Sequence, residues 1–228
     1  MVRLTLGLTC ASLLLAGCSA LPESSRGRQP AVAAPTTARA LPAPLSPAAG
    51  QCLAELGRMG ARYTPVADRY VDRGCTILGS VQLASLQSDG ASLGVTNLGP
   101  VTCEVSQAFT GWARFGVDRA ARQILGSPVH SIETMGSFAC RDVAGSGRRS
   151  GHASAAAIDV SGFVLADGRR ITVKNGWNGG TPKEREFLRT IQQSACKRFD
   201  TVLGPEYNAA HLDHLHVEGV IHTKSYCR

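Results

Sequence analysis

The sequence of 228 residues has few aromatic side chains and no long uninterrupted apolar run. Aromatic residues make up 5% of the chain, so we expect a core built mainly from Ala, Val, Leu and Ile. No apolar run reaches the roughly 18 residues that a transmembrane helix needs, which excludes a polytopic membrane protein. The apolar fraction of 43% also excludes a wholly disordered chain.

Acidic residues are fewer than basic residues in this chain. Asp and Glu total 17 against 24 Lys and Arg, which gives a net charge of +7 at pH 7. This excess suits an anionic partner such as nucleic acid, anionic lipid or cell-wall polymer, and charge alone does not choose among them.

The N-terminus is typical of an exported protein. Arg3 is followed by a short apolar stretch that ends in Leu15-Ala16-Gly17-Cys18. These last four residues resemble the lipobox of bacterial lipoproteins, which implies cleavage of residues 1–17 and lipid attachment to Cys18. An ordinary secretory signal with an incidental cysteine is the alternative. We predict a protein at the periplasmic face of a bacterial membrane, with the outer membrane favoured because Ser19, not Asp, follows Cys18.

Residues 18–50 differ in composition from the rest of the chain. They are rich in Ala, Pro, Ser and Thr and contain six of the eleven prolines. Such a segment cannot bury a core and favours extended conformations, so we predict a disordered tether. One folded domain is expected over residues 51–228.

Apolar periodicity within this domain predicts an α+β fold, an antiparallel sheet with flanking helices. Helical spacing is found in residues 52–62 and 103–125, and a third helix is expected to begin at Pro182. Asp167-Gly168 predicts a hairpin turn. The predicted strands are residues 129–135, 157–165, 171–174, 201–203 and 215–220.

Six cysteines belong to the predicted domain, and no CxxC pair is present to indicate a Cys-based zinc site. Because an exported compartment is oxidising, we expect three disulfides. Six cysteines allow 15 connectivities, and the sequence cannot select one. Pairing of neighbours along the chain predicts Cys52–Cys75, Cys103–Cys140 and Cys196–Cys227.

Four of the six histidines lie in two short segments, one around His152 and one from His211 to His216. Alternate residues of a strand share a face, so His214 and His216 are expected to face the same cleft. Asp159 falls in an apolar strand, where a buried carboxylate needs a partner. Two imidazoles and a carboxylate with one open position suit catalytic zinc, whereas a Ser/His/Asp hydrogen-bond network is the alternative.

The pattern Ser150-x-His152-x6-Asp159, followed by His214-x-His216, resembles that of the zinc peptidases that include lysostaphin, the D-alanyl-D-alanine carboxypeptidases and the hedgehog signalling domain. From Cys103 to Cys227 the chain most resembles bacterial extensin-like C-terminal domains. The segments Ser137-Phe138-Ala139-Cys140-Arg141 and Val202-Leu203-Gly204-Pro205 carry this second resemblance. The resemblance implies a fold of the hedgehog and D-Ala-D-Ala-peptidase kind.

The same resemblance implies roles for individual residues. His152, Asp159 and His216 correspond to the zinc ligands. Asp213 corresponds to the base of the carboxypeptidase branch and His214 to the first His of the His-x-His branch; we favour Asp213 as the base. Arg141 corresponds to an arginine that binds an oxyanion or a substrate carboxylate. His211 corresponds to a further histidine of the penicillin-insensitive endopeptidase branch.

We therefore predict a zinc-dependent peptidase of the cell envelope that acts on peptidoglycan peptides. A metal-containing lipoprotein module that binds wall peptides or a partner without cleaving them is the alternative. Nucleic acid is not expected as a partner, because the basic residues are scattered and an export signal is present.

Overall fold

The computed structural model describes residues 46–228, which form a mixed α/β structure with a large, mostly antiparallel sheet. The predicted signal peptide, Cys18 and most of the tether lie outside the described residues. None of the helices in the described part combines the length and apolarity needed to cross a bilayer. The α-helices are α1 (Pro47–Arg58), α2 (Cys103–Trp112), α3 (Val173–Gly179) and α4 (Pro182–Ala195).

Ten strands form the main sheet, in the order β1-β4-β5-β7-β8-β11-β10-β12, with β6 beside β4 and β9 beside β8. The pairs β5–β7 and β10–β12 are parallel, and β2 and β3 form a separate hairpin. The strands are β1 (Arg62–Pro65), β2 (Arg69–Asp72), β3 (Cys75–Ile77), β4 (Ser80–Gln87), β5 (Ser92–Thr96), β6 (Val101–Thr102), β7 (Val129–Gly136), β8 (Ala157–Leu165), β9 (Arg170–Thr172), β10 (Thr201–Leu203), β11 (Leu215–Glu218) and β12 (Tyr226–Cys227).

The second half of the chain follows the predicted elements closely. Strands β7, β8, β10 and β11 and helix α4 are confirmed, and Gly168 turns the β8–β9 hairpin with a φ of 87°. The predicted helix over residues 103–125 is α2 continued by two π-helical segments, Ala113–Asp118 and Ala121–Leu125.

The structure differs from the prediction in several places. Helix α1 begins at Pro47, because Ser46 caps it and proline suits a first turn, so residues 47–50 are helical and not part of a tether. The third predicted strand ends at Thr172, whose side chain caps α3, so Lys174 is helical. Strands β1 to β6 were not predicted, since β1 and β2 are largely exposed and lack apolar alternation.

The helices and the sheet enclose a core whose largest members are aromatic, although aromatic residues are few. The ring of Trp112 lies 5.8 Å from that of Phe109, 6.4 Å from Phe163 and 6.2 Å from Phe199, measured between centroids. The indole Nε1 of Trp112 donates a hydrogen bond to the carbonyl of Ile191 in α4, at 2.9 Å. These contacts join α2 and α4 to β8 of the sheet.

Three disulfides are present, as predicted, but two of the predicted pairings are wrong. Cys52 bonds to Cys103 because α1 packs against α2. Cys75 bonds to Cys140 because β3 lies against the 3₁₀ turn Gly151–Ser154, which follows the loop that contains Cys140. The pairing of Cys196 with Cys227 is confirmed. Neighbours along the chain are therefore not neighbours in space in the first half of the domain.

Removal of the Cys52–Cys103 bridge tests this arrangement. The double variant Cys52→Ala/Cys103→Ala should lose about 4 kcal/mol of unfolding free energy, because a 51-residue loop is no longer closed in the unfolded chain. Denaturant unfolding measures the loss, and peptide mapping without reductant identifies the bridges. Recovery of a peptide linking Cys52 to Cys75 would contradict the arrangement.

Candidate metal centre

Strands β8 and β11 place two of the predicted ligands opposite each other. In the antiparallel register, Asp159 pairs with His216, and Ile158 pairs with Val217. Side chains alternate along a strand, so the apolar pair enters the core while Asp159 and His216 share the opposite face. Both Ile158 and Val217 are completely buried.

The third predicted ligand, His152, lies on a 3₁₀ turn, Gly151–Ser154, that Ser150 caps. The Ser150 hydroxyl accepts a hydrogen bond from the His152 backbone N–H at 3.4 Å. The His152 Nδ1 atom lies 2.7 Å from the carbonyl oxygen of Ser137. Because a carbonyl only accepts, Nδ1 carries a proton, and a neutral His152 therefore presents the lone pair of Nε2 to the centre.

The three side chains converge on one point. His152 Nε2 lies 3.1 Å from His216 Nδ1 and 3.2 Å from Asp159 Oδ2, and His216 Nδ1 lies 2.9 Å from Asp159 Oδ1. One ligand atom from each residue lies within 4.8 Å of the others. The structure therefore brings the three predicted ligands together as a group that can hold a metal ion.

The hydrogen bonds around the group favour a positive charge at its centre. His216 Nε2 lies 3.0 Å from Glu218 Oε2, and a carboxylate only accepts, so this nitrogen carries the proton. Two imidazole lone pairs, from His152 Nε2 and His216 Nδ1, then face each other beside the Asp159 carboxylate. Such a buried arrangement needs a cation or an additional proton between its members.

The short distances between these groups shift the pKa values of Asp159 and His216. Burial raises the pKa of Asp159, but hydrogen bonds from His152 and His216 outweigh it and hold that pKa well below its usual range. Burial lowers the pKa of His216, but the Asp159 and Glu218 carboxylates outweigh it and raise the pKa to about 9. Without metal, the group therefore holds an extra proton at neutral pH.

His214 lies beside the three ligands and is 8% exposed. Its Nδ1 atom lies 2.8 Å from Asp213 Oδ1 and therefore donates to that carboxylate. Its Nε2 atom lies 3.5 Å from Asp159 Oδ1 and faces the centre. Asp213 itself has a side chain that is 45% exposed, and its hydrogen bond to His214 connects it to the centre.

His211 stands at the edge of the centre, with its ring 5.1 Å from that of His214 and 5.9 Å from that of His216. Asn208 Oδ1 accepts the proton of His211 Nδ1 at 2.7 Å, since the same oxygen also accepts a backbone N–H. Burial, followed by the nearby charges of His214 and His216, lowers the pKa of His211 to about 4. This histidine is therefore neutral at physiological pH.

A cleft of about 420 Å³ adjoins the centre, and its lining includes Arg141, which the resemblance compared with a substrate-gripping arginine. The Arg141 carbonyl accepts the Ser150 N–H at 3.2 Å, which ties the arginine loop to the His152 turn. Glu218 and the cleft residues Tyr207 and Tyr226 were not predicted as site residues, although the spacing His216-x-Glu218 on one strand was a signal for Glu218. The cleft lining also includes Arg148, Thr201, Leu203, Asn208, His211 and His214.

Comparisons with known proteins identify a family and nothing narrower. A model of the family described as Extensin-like protein C-terminus matches residues 50–228. No curated protein and no solved structure matches the chain significantly.

Metal content tests the ligand assignment. We expect the full-length protein to bind one zinc ion per chain. His152→Ala should lose it, because catalytic zinc sites use three protein ligands and this variant keeps two. The matched control is His130→Ala, since His130 is an exposed histidine outside the centre. Equal zinc content in the parent and in His152→Ala, measured by elemental analysis, would contradict the assignment.

Proton release on metal binding tests the electrostatics. Between pH 6.5 and about 9, zinc must displace the extra proton on His216, so the apparent zinc affinity should rise about tenfold per pH unit. Calorimetry in buffers of different ionisation enthalpy should count about one proton released at pH 7.5. In the metal-free protein, this proton contributes stability below pH 6.5, and the contribution is lost as pH rises through about 9. Zinc affinity independent of pH over this range would contradict the arrangement.

Proposed function

The chain belongs to the extensin-like protein C-terminus family, and we propose that this member is a zinc-dependent peptidase that cleaves peptidoglycan peptides. The observation that supports the proposal is the convergence of two imidazole lone pairs and a buried carboxylate beside a further oriented histidine. In the metal-free protein the extra proton on His216 satisfies the two facing lone pairs, and a metal ion would take its place. A catalytic metal centre uses both, and it needs a base next to them.

The donor set suits zinc. His152 and His216 would each supply one nitrogen and Asp159 an oxygen, the ligand types and number that catalytic zinc sites use while keeping a fourth position open. A zinc ion held there would polarise the scissile carbonyl and lower the pKa of water toward 7.

Proton transfer is assigned to His214. Its Nδ1–H is held by Asp213, so its Nε2 is free to accept a proton from the attacking water and to deliver it to the leaving amine. Asp213 would orient the ring and stabilise the imidazolium that forms. The geometry thus favours His214 over Asp213, and our proposal reverses the order of preference that the sequence suggested.

Arg141 would stabilise negative charge in the cleft. A guanidinium stays charged at every relevant pH and offers a bidentate fork to a carboxylate or an oxyanion. With Arg148 in the same lining, the cleft is suited to a peptide that carries free carboxylates. Peptidoglycan stem peptides have this chemistry, and the net charge of +7 suits an anionic wall polymer.

The cellular setting is part of the same proposal. Export and lipid attachment at Cys18 would hold the domain at the periplasmic face of a membrane, with the outer membrane favoured, within reach of the wall. The three disulfides support an oxidising compartment.

Variants of the two neighbours separate their roles. His214→Gln should retain zinc, because His214 is not a proposed ligand, and should lower kcat on purified muropeptides by about 10²–10⁴-fold, as expected for loss of a general base. Asp213→Asn should lower kcat less, and Glu186→Gln on the exposed face of α4 should leave it unchanged. Mass spectrometry of the digestion products measures the rates.

Two outcomes would overturn parts of this proposal. If Asp213→Asn is inactive while His214→Gln cleaves normally, Asp213 is the base. If the zinc-loaded parent binds muropeptides and cleaves none of them, the protein is a binding module of the wall.

A further inference from the structure

We propose that Glu218 is a positioning residue, which holds His216 in the tautomer that presents Nδ1 to the metal. The inference rests on the metal centre of the proposed function and extends it to a residue with no predicted role. Its basis is the hydrogen bond between His216 Nε2 and Glu218 Oε2, at 3.0 Å.

The two imidazoles of the centre are oriented by different means. His152 donates to the backbone carbonyl of Ser137, an acceptor that a side-chain substitution cannot remove. His216 donates to the side chain of Glu218, so its tautomer depends on the identity of one residue. Without that carboxylate, the proton of a neutral His216 can occupy Nδ1, and a protonated nitrogen does not bind a metal.

Strand geometry places Glu218 correctly for this role. His216 and Glu218 are alternate residues of β11, so both side chains lie on the face that carries the centre. The Glu218 side chain is 29% exposed, so its carboxylate is partly shielded from water, which strengthens its hydrogen bond to the imidazole.

Gly151 provides the space that the Glu218 carboxylate occupies. A Cβ atom at position 151 would clash with Glu218 Cδ and lie 2.6 Å from Oε2, which is closer than real Cβ atoms come. A side chain at position 151 would therefore displace the Glu218 carboxylate from its position beside His216. The turn that carries one imidazole thus contacts the carboxylate that orients the other.

The test compares variants that keep or remove the acceptor. Glu218→Leu should weaken zinc binding by about 10–100-fold, the range typical for loss of an outer partner of a metal-bound histidine. Glu218→Gln should lose less, because its amide oxygen accepts the same hydrogen bond. Gly151→Ala should weaken binding in the same direction as Glu218→Leu by displacing the carboxylate.

Two controls match these variants. Gly147→Ala makes the same change in the same loop, at a position where a Cβ meets nothing within 4 Å. Glu186→Gln removes the same charge on the exposed face of α4. Both should bind zinc as the parent does, in competition with a chelator of known affinity.

A spectroscopic measurement separates positioning from general stability. Long-range ¹H–¹⁵N NMR of the ¹⁵N-histidine-labelled protein reports which His216 nitrogen carries hydrogen. In the zinc-loaded parent and in Glu218→Gln it should be Nε2, whereas Glu218→Leu should show mixed states or a loss of the metal-bound signal. Parent-like zinc affinity and a parent-like His216 spectrum in Glu218→Leu would overturn the inference.

These measurements use zinc and no substrate. A parent protein that binds zinc through His216 Nδ1 but cleaves no wall peptide would remove the peptidase proposal and leave the role of Glu218 standing. A parent that cleaves wall peptides while Glu218→Leu keeps its zinc and its tautomer would do the reverse.

Discussion

The pairing of β8 with β11 is the constraint on which the rest of the site depends. It sets Asp159 opposite His216 and, one residue further along each strand, Ile158 opposite Val217. A slip of one residue in either strand would send a carboxylate or an imidazole into the apolar core and leave a large aliphatic side chain in the cleft. The burial of the aliphatic rows therefore also fixes the geometry of the polar ones.

The elements around this pair complete the site from different parts of the chain. The 3₁₀ turn before β8 carries His152, and the residues just before β11 carry His214 and its hydrogen-bond partner Asp213. The Cys75–Cys140 bridge joins the Arg141 loop to the β2–β3 hairpin. Four residues of these parts, Arg141, Ser150, His214 and His216, line one cleft.

Much of this arrangement was predictable from sequence, for a physical reason. Strands β8 and β11 alternate apolar and polar residues around Asp159 and His216, so their periodicity shows which residues face away from the core. The grouping of His152 with these two residues was implied by the resemblance of the Ser150-x-His152-x6-Asp159 pattern, since His152 lies on neither strand. The order of His214 and Asp213 did not follow, because it depends on which atom of each side chain faces the centre. Glu218 was within reach of the same alternation argument.

The first half of the domain was less predictable because its elements depend on long-range contacts. Strands β1, β2, β3 and β6 have only two to four residues each, and the positions of the strands in this half follow from pairing with distant residues, as β5 pairs with β7. The Cys52–Cys103 and Cys75–Cys140 bridges join residues 51 and 65 positions apart, and nothing local to a cysteine indicates its partner.

The separation of the two faces has a consequence for how chemistry can diverge on this scaffold. Asp159 and His216 face away from the core contacts of Ile158 and Val217, so substitutions at the candidate metal ligands need not disturb the core. A homologue can therefore keep the whole domain without this group. The family model matches residues 50–228 as a whole, so an inference of catalysis in any one homologue has to start from its polar rows.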